Sequence, residues 1–130
     1  MTLPEVDEVR VTTMVDNTFD ALLVSALVTV QSGNASSTLL FDTGASPDGL
    51  AVNAERLGID VGGLQGVVLS HGHFDHAGGF DGLARLRGRS GLPLTVHPAV
   101  WTRRRLELPP GRVWRCPPCY GVPWNAKGSR

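Results

Sequence analysis

The apolar tetrapeptide Gly66-Val67-Val68-Leu69 runs without interruption into Ser70-His71-Gly72-His73-Phe74-Asp75-His76-Ala77-Gly78-Gly79. A short apolar run of this kind suits a strand buried on both faces, so the polar residues after it stand at a strand's C-terminal end. Three of the chain's four histidines fall between His71 and His76, with Asp75 among them. On extended backbone His71 and His73 project to the same side, and a turn through Phe74 brings Asp75 and His76 toward a neighbouring point. Two adjacent metal positions are the expected result. Imidazole suits zinc, iron or nickel, and a carboxylate widens the choice to manganese, so the identity of the metal stays open. Gly72, Gly78 and Gly79 remove side-chain bulk and permit the backbone angles that a short loop around an ion needs. Unrelated surface histidines have no reason to cluster in this way.

The rest of the chain supplies a scaffold of strands and helices. Val9, Val11, Thr13 and Val15 alternate with Arg10, Thr12 and Met14, the period of a half-buried strand, and Val24, Ala26, Val28 and Val30 repeat it. The polar stretch from Gln31 to Ser37 marks a turn, and Thr38-Leu39-Leu40-Phe41 completes a hairpin. Ser46 as N-cap and Pro47 at the first helical position open a helix with Leu50, Ala54 and Leu57 on one face, closed by Gly58. A short helix from Phe80 through Leu83 and Leu86 to Gly88, a strand from Leu92 to Val96 and a helix from Pro98 to Leu106 follow. Strands first and αβ alternation afterwards predict an α/β (α+β) layered fold.

Composition sets the remaining bounds. A chain of 130 residues has room for one core, and 42% apolar with 18% charged residues is ordinary globular usage. The longest apolar-rich run, Ala21 to Val30, is broken by Ser25 and Thr29, short of the roughly 18 residues of a membrane span. The acidic start, Glu5, Asp7 and Glu8, is unlike a secretory signal, so the cytoplasm is the expected compartment. The 12 basic and 12 acidic residues are unevenly placed: seven of the basic and one of the acidic residues lie after residue 100. Periodicity stops at Leu108, which divides the chain into a domain over 1–108 and an irregular Pro-, Arg- and Trp-rich tail over 109–130.

The run from Ser70 to Gly79 resembles the HxHxDH signature of the metallo-β-lactamase superfamily, and Leu39-Leu40-Phe41-Asp42-Thr43-Gly44 resembles the Asp-containing motif that precedes it there. Val15 to Thr18, Leu40 to Gly49 and Asn53 to Ile59 are similar, more narrowly, to the branch holding the dihydropteridine-type phosphate synthases of methanopterin biosynthesis. The resemblance implies the N-terminal portion of an αββα sandwich with a hydrolytic site of one or two metal ions at the sheet edge, Zn2+ as the expected ion and Fe or Mn as substitutes. His71 and His73 would bind one ion, and Asp75, which also takes the catalytic role, would bind a second with His76. Asp42 would support the loop through hydrogen bonds to its histidines. The implied reaction is attack by metal-activated water on an ester, thioester, lactam or phosphoester of a small-molecule substrate. Family members are longer and add a further His, a bridging Asp and a last His. Only His97, in Val96-His97-Pro98, lies downstream here, as a possible ligand. An incomplete sandwich, a tail foreign to the family, impaired activity and self-association through an uncovered sheet are the corresponding expectations.

Other readings explain less. Leu40-Phe41-Asp42-Thr43-Gly44 also resembles the active-site signature of aspartic proteases, whose short retroviral-type members act as homodimers. The later apolar-apolar-Gly strand they need has Arg in its candidate, Leu86-Arg87-Gly88, and the histidines go unexplained. Cys116-Pro117-Pro118-Cys119 has CxxC spacing in a proline-rich tail, without the strand and helix of a redox motif. Arg103-Arg104-Arg105 with Trp101, then Trp114, Arg115, Tyr120 and Trp124, interleave cations with aromatics as single-strand nucleic-acid binders do. A solvated basic face followed by a tail accounts for the same residues without a nucleic-acid partner.

Overall fold

The computed structural model describes residues 5–15, 24–88, 91–102, 105–108 and 111–115. Its centre is a five-stranded sheet in the order β1 (Glu8–Val15), β2 (Ser25–Ser32), β3 (Ala35–Phe41), β4 (Gly66–Val68) and β5 (Leu94–Thr95). The first three strands are antiparallel neighbours, and β3, β4 and β5 run parallel. The connections explain the switch. β2 and β3 are joined by a tight turn in which Gly33 takes a φ of 56°, whereas β3 reaches β4 through a crossover that carries helix α1 (Gly49–Arg56), as parallel pairing demands. The outcome is the mixed α/β architecture expected from the sequence.

Register decides which face is core. Thr12, Leu27, Leu40, Val67 and Leu94 stand opposite one another across all five strands. Leu27, Leu40 and Val67 of this row are buried together with Met14, Leu50 and Ala54 of α1, and Phe80 and Leu83 of α3 (Phe80–Arg87). Each fully buried Leu in such a cluster contributes about 1.5–3 kcal/mol. Val9 and Val11 of β1 occupy the opposite face: Val11, Val28 and Leu39 are side by side there, with Val9 and Phe41 on the flanking rows. Val9 is 58% and Val11 63% exposed, while Met14 is 2% exposed. The alternation read from the sequence is therefore present, but the core residue of β1 is the methionine on the other face. Past a register shift between Thr13 and Val15, Val15 pairs with Ser25 and packs against the core.

Helix α1 begins two residues later than Pro47 suggested, at Gly49. Ser46 still caps the turn, because its Oγ accepts from the Gly49 N–H at 3.1 Å. Leu50 and Ala54 are buried as expected, whereas Leu57 is exposed and Ile59 packs on the core in its place. Gly58, at φ 63°, reverses the chain.

Two expectations for the later chain are corrected. Leu92 to Val96 contributes only the short β5, and Pro98 opens a single 3-10 turn, Pro98–Trp101, in place of a helix to Leu106. Thr102 stops that turn by donating both its N–H (3.1 Å) and its Oγ1–H (2.7 Å) to the Ala99 carbonyl. Beyond it β6 (Arg105–Leu108) pairs antiparallel with β7 (Arg112–Arg115), so a boundary at Leu108 falls inside a two-stranded sheet. Cys116, Cys119, Tyr120 and Trp124, Arg103 and Arg104, and Asp16 to Thr18 lie outside the described residues. No helix among the described residues is long and apolar enough to cross a membrane.

Candidate metal centre

The site grows from the residue that follows β3. Asp42 has a φ of 57°, and among the described residues it is the one non-glycine at positive φ, a conformation aspartate tolerates better than branched residues do. Its N–H donates to the Val68 carbonyl at 2.9 Å, and its own carbonyl accepts from the buried Ser25 Oγ at 2.9 Å. The backbone of Asp42 is thus fixed to β4 on one side and β2 on the other. Its carboxylate is 1% exposed. Oδ1 accepts from the Ser70 N–H at 2.8 Å, and Oδ2 accepts from Ser70 Oγ at 2.7 Å and from His76 Nδ1 at 2.7 Å. A buried carboxylate survives in such a place because several donors replace its water.

The next residues join the two motifs backbone to backbone. Thr43 donates both its N–H (2.7 Å) and its Oγ1–H (3.0 Å) to the His76 carbonyl, and Oγ1 accepts from the Gly79 N–H at 3.1 Å. Gly44 pairs with Ala77, and its carbonyl accepts from Gly79 at 2.9 Å. The contact is too close for side chains: a Cβ on Gly79 would strike the Thr43 carbonyl, on Gly78 the Ala45 carbonyl, and on Gly82 the Pro47 carbonyl. Gly78 and Gly79 hold ordinary helical angles, φ −69° and −81°. Removal of bulk, one of the two reasons anticipated for these glycines, is therefore the one that applies to Gly78 and Gly79.

Helix α2 (Phe74–Ala77) is one turn long and carries Asp75 and His76, while His71 and His73 stay on the extended segment before it. Among the described residues His71, Asp75 and His76 offer ligand atoms that all lie within 4.8 Å of one another. His76 Nε2 is 3.5 Å from Asp75 Oδ2. The rings of His71 and His76 are 4.0 Å apart, and His73 meets the His71 ring edge-on at 4.7 Å, outside that three-residue group. Burial holds the His71 pKa below the ordinary 6.5, and the neighbouring His76 and His73 push it the same way. A neutral imidazole keeps a lone pair to give. These donors fit a divalent cation: two imidazoles and a carboxylate, none buried out of reach.

His97 is exposed and serves the chain itself, since its Nδ1 accepts from the Ala99 N–H at 3.2 Å at the start of the 3-10 turn. Thr43 and Ser70 were given no role by the sequence reading, although both sit inside the motifs. Adjacency to Asp42 and to His71 was the available signal.

A family model described as the metallo-beta-lactamase superfamily matches residues 22–124. The chain belongs to the metallo-β-lactamase superfamily. The match continues past Leu108 into the segment expected to be foreign. A curated relative, the 7,8-dihydropterin-6-methyl-4-(beta-D-ribofuranosyl)-aminobenzene-5'-phosphate synthase of Methanocaldococcus jannaschii, is 31% identical over 78 residues, covering 60% of this chain and 26% of the relative. Among solved structures, the Rm3 metallo-beta-lactamase is 33% identical over 60% of this chain and 27% of its own, with a TM-score of 0.43. The MIM-2 metallo-beta-lactamase is 31% identical over 58% and 27%, with a TM-score of 0.42. The chain thus spans about a quarter of the length of these relatives. Family membership accounts for the His cluster and for Asp42 together, which the aspartic-protease reading does not. That reading also needs an Asp42 carboxylate open to water, and Leu86 and Arg87 on a strand, where they end α3.

Proposed function

We propose that this chain carries the metal-binding portion of a metal-dependent hydrolase acting on an ester, thioester, lactam or phosphoester bond of a small molecule. One observation carries the reading. Asp42 Oδ2 takes a hydrogen bond from His76 Nδ1, which leaves His76 Nε2 directed at Asp75 Oδ2, 3.5 Å away. The imidazole nitrogen and the carboxylate oxygen converge there beside His71, the spacing and donor types that would let both give a lone pair to one cation. His71, Asp75 and His76 would hold the ion, with His73 as a further donor on the same loop and Asp42 setting the direction of the His76 ring. Zinc is the expected ion, and iron or manganese would suit the same donors. When bound, the ion supplies Lewis acidity and makes a water more acidic. Three protein donors leave room for that water and a substrate atom. The pterin-phosphate name of the curated relative makes a phosphoester the first substrate to try.

The test is metal stoichiometry by elemental analysis and titration calorimetry on the wild type and on His71→Ala, with folding checked by circular dichroism. Zinc at a fixed ratio in the wild type, lost in the folded variant, is expected. A wild type that retains no ion after zinc, iron and manganese have each been offered defeats the reading.

A further inference from the structure

Ser70 occupies a position that the metal-site reading leaves unexplained. Its single hydroxyl lies 2.7 Å from Asp42 Oδ2, 2.9 Å from His71 Nδ1 and, more distantly, 3.3 Å from His76 Nδ1. A hydroxyl has one proton and accepts through its lone pairs, and a carboxylate only accepts. Placed against Asp42, the Ser70 proton must go to the carboxylate, for otherwise two acceptors would stand 2.7 Å apart. The Ser70 oxygen is then an acceptor toward His71, and the proton between them belongs to His71 Nδ1. The same carboxylate takes the His76 Nδ1 proton directly.

We infer that Ser70 is a positioning residue that relays the acceptor character of Asp42 to His71, so that one buried carboxylate sets both imidazoles as Nδ1–H with Nε2 free for an ion. The inference rests on the proposed metal site for its purpose but not for its geometry. Three features make Ser70 suited to the task. Its N–H to Asp42 Oδ1, at 2.8 Å, holds its backbone independently of the hydroxyl. It stands directly before His71, so the relay is short. Asp42 is itself fixed through its backbone to two strands, so the reference point does not move. Unlike His76, His71 has no direct bond to Asp42, and without the hydroxyl its ring loses this reason to keep the proton on Nδ1.

The decisive measurement needs no metal. Long-range proton–nitrogen correlation spectra of the metal-free protein, at a pH where the imidazoles are neutral, identify which ring nitrogen carries the proton in each histidine. In the wild type His71 and His76 are expected as Nδ1–H. In Ser70→Ala, His71 is expected to shift to the Nε2–H form that a free imidazole prefers, while His76 keeps Nδ1–H. Zinc affinity should fall by about 10- to 100-fold. Ser70→Thr, which keeps the hydroxyl, is expected to restore both the His71 signal and the affinity. A wild-type His71 already in the Nε2–H form, or a His71 unchanged in Ser70→Ala, overturns the inference. Failure of the metal reading is distinguishable, because it shows as a wild type that binds no zinc whatever its tautomers.

Discussion

Asp42→Asn isolates the hydrogen bonding of the buried carboxylate from every other property of that position. Asparagine has nearly the same shape and shares aspartate's tolerance of the left-handed backbone found at φ 57°, so neither packing nor conformation changes. The amide oxygen can keep the Ser70 N–H bond, and the Ser70 hydroxyl can turn to accept from the new NH2 group. The His76 Nδ1–H, now 2.7 Å from a donor, cannot keep a bond there in its present tautomer. One bond to a charged acceptor, worth about 1.5–3 kcal/mol, is lost, and the other two weaken by roughly 1 kcal/mol each as their acceptor becomes neutral. An amide is cheaper to bury than a carboxylate, which offsets part of the loss. A net destabilisation of about 2–4 kcal/mol follows, a fall in Tm of roughly 6–12 °C for a chain of this size. The alternative open to His76 is to move its proton to Nε2, which closes the nitrogen facing Asp75. Zinc affinity should then drop about 10- to 100-fold. Denaturant titration of the metal-free variant and zinc calorimetry of the folded one measure the two effects separately. A variant within about 0.5 kcal/mol of wild type, with unchanged zinc affinity, would refute the assignment of Asp42 as the anchor of the site.

Three further outcomes follow from the same geometry. Gly82→Ala should destabilise the chain by about 1–3 kcal/mol or more through the clash of its Cβ with the Pro47 carbonyl, measured by thermal melting, whereas Gly63→Ala, with open space around it, should cost less than about 1 kcal/mol. Because the folded pKa of His71 lies below 6.5, the unfolded chain takes up a proton that the folded one resists, so metal-free stability should fall as pH drops below that value and level off once it passes the folded pKa. Urea midpoints at about pH 7.5 and about pH 5.5 should differ less in His71→Gln than in wild type. Leu40→Ala in the core should cost about 2–5 kcal/mol, while Val11→Lys on the open face should stay within about 0.5 kcal/mol of wild type and lower any concentration-dependent association seen by sedimentation.

The fold was legible where period and punctuation agree. The β2–β3 hairpin, the helix from Gly49 and the strand before the histidines are each flagged by a turn, a cap or an apolar run, and each is present. Periodicity says that β1 has two unlike faces, but not which one meets the helices. That choice depends on register with β2 and β3, which places Leu27 and Leu40 in the row that the helices cover. The helix expected from Pro98 to Leu106 failed for a related reason. Helix-start signals act locally, and Arg105 to Leu108 find their hydrogen bonds in Arg112 to Arg115, a pairing that no local signal announces. At the site, residue types pointed to a cation and spacing to a turn through Phe74; the single turn of α2 brings Asp75 and His76 back beside His71, with His73 edge-on to the His71 ring.

That local fold-back bears on how much of a longer relative the site needs. His71, Asp75 and His76 come from six consecutive residues, and what orients them is Asp42 and Thr43 at the end of the adjacent parallel strand. The parallel pairing of β3 with β4 puts both strand ends at one edge of the sheet, where the carboxylate and the histidines meet, and Ser25 of β2 holds the Asp42 carbonyl from the other side. The glycines at 78, 79 and 82 then let the two segments close to backbone distance. The contacts described for these three donors therefore come from residues 42–82, from Ser25 and from the core beneath them. Groups that grip a substrate have no such local source, since loops around a site set specificity independently of the fold that presents it. On the proposed function, metal affinity and substrate turnover would accordingly be separable in this chain. Zinc bound at a fixed ratio by a protein with no measurable phosphoesterase activity would agree with that division, whereas turnover without any bound ion would contradict it.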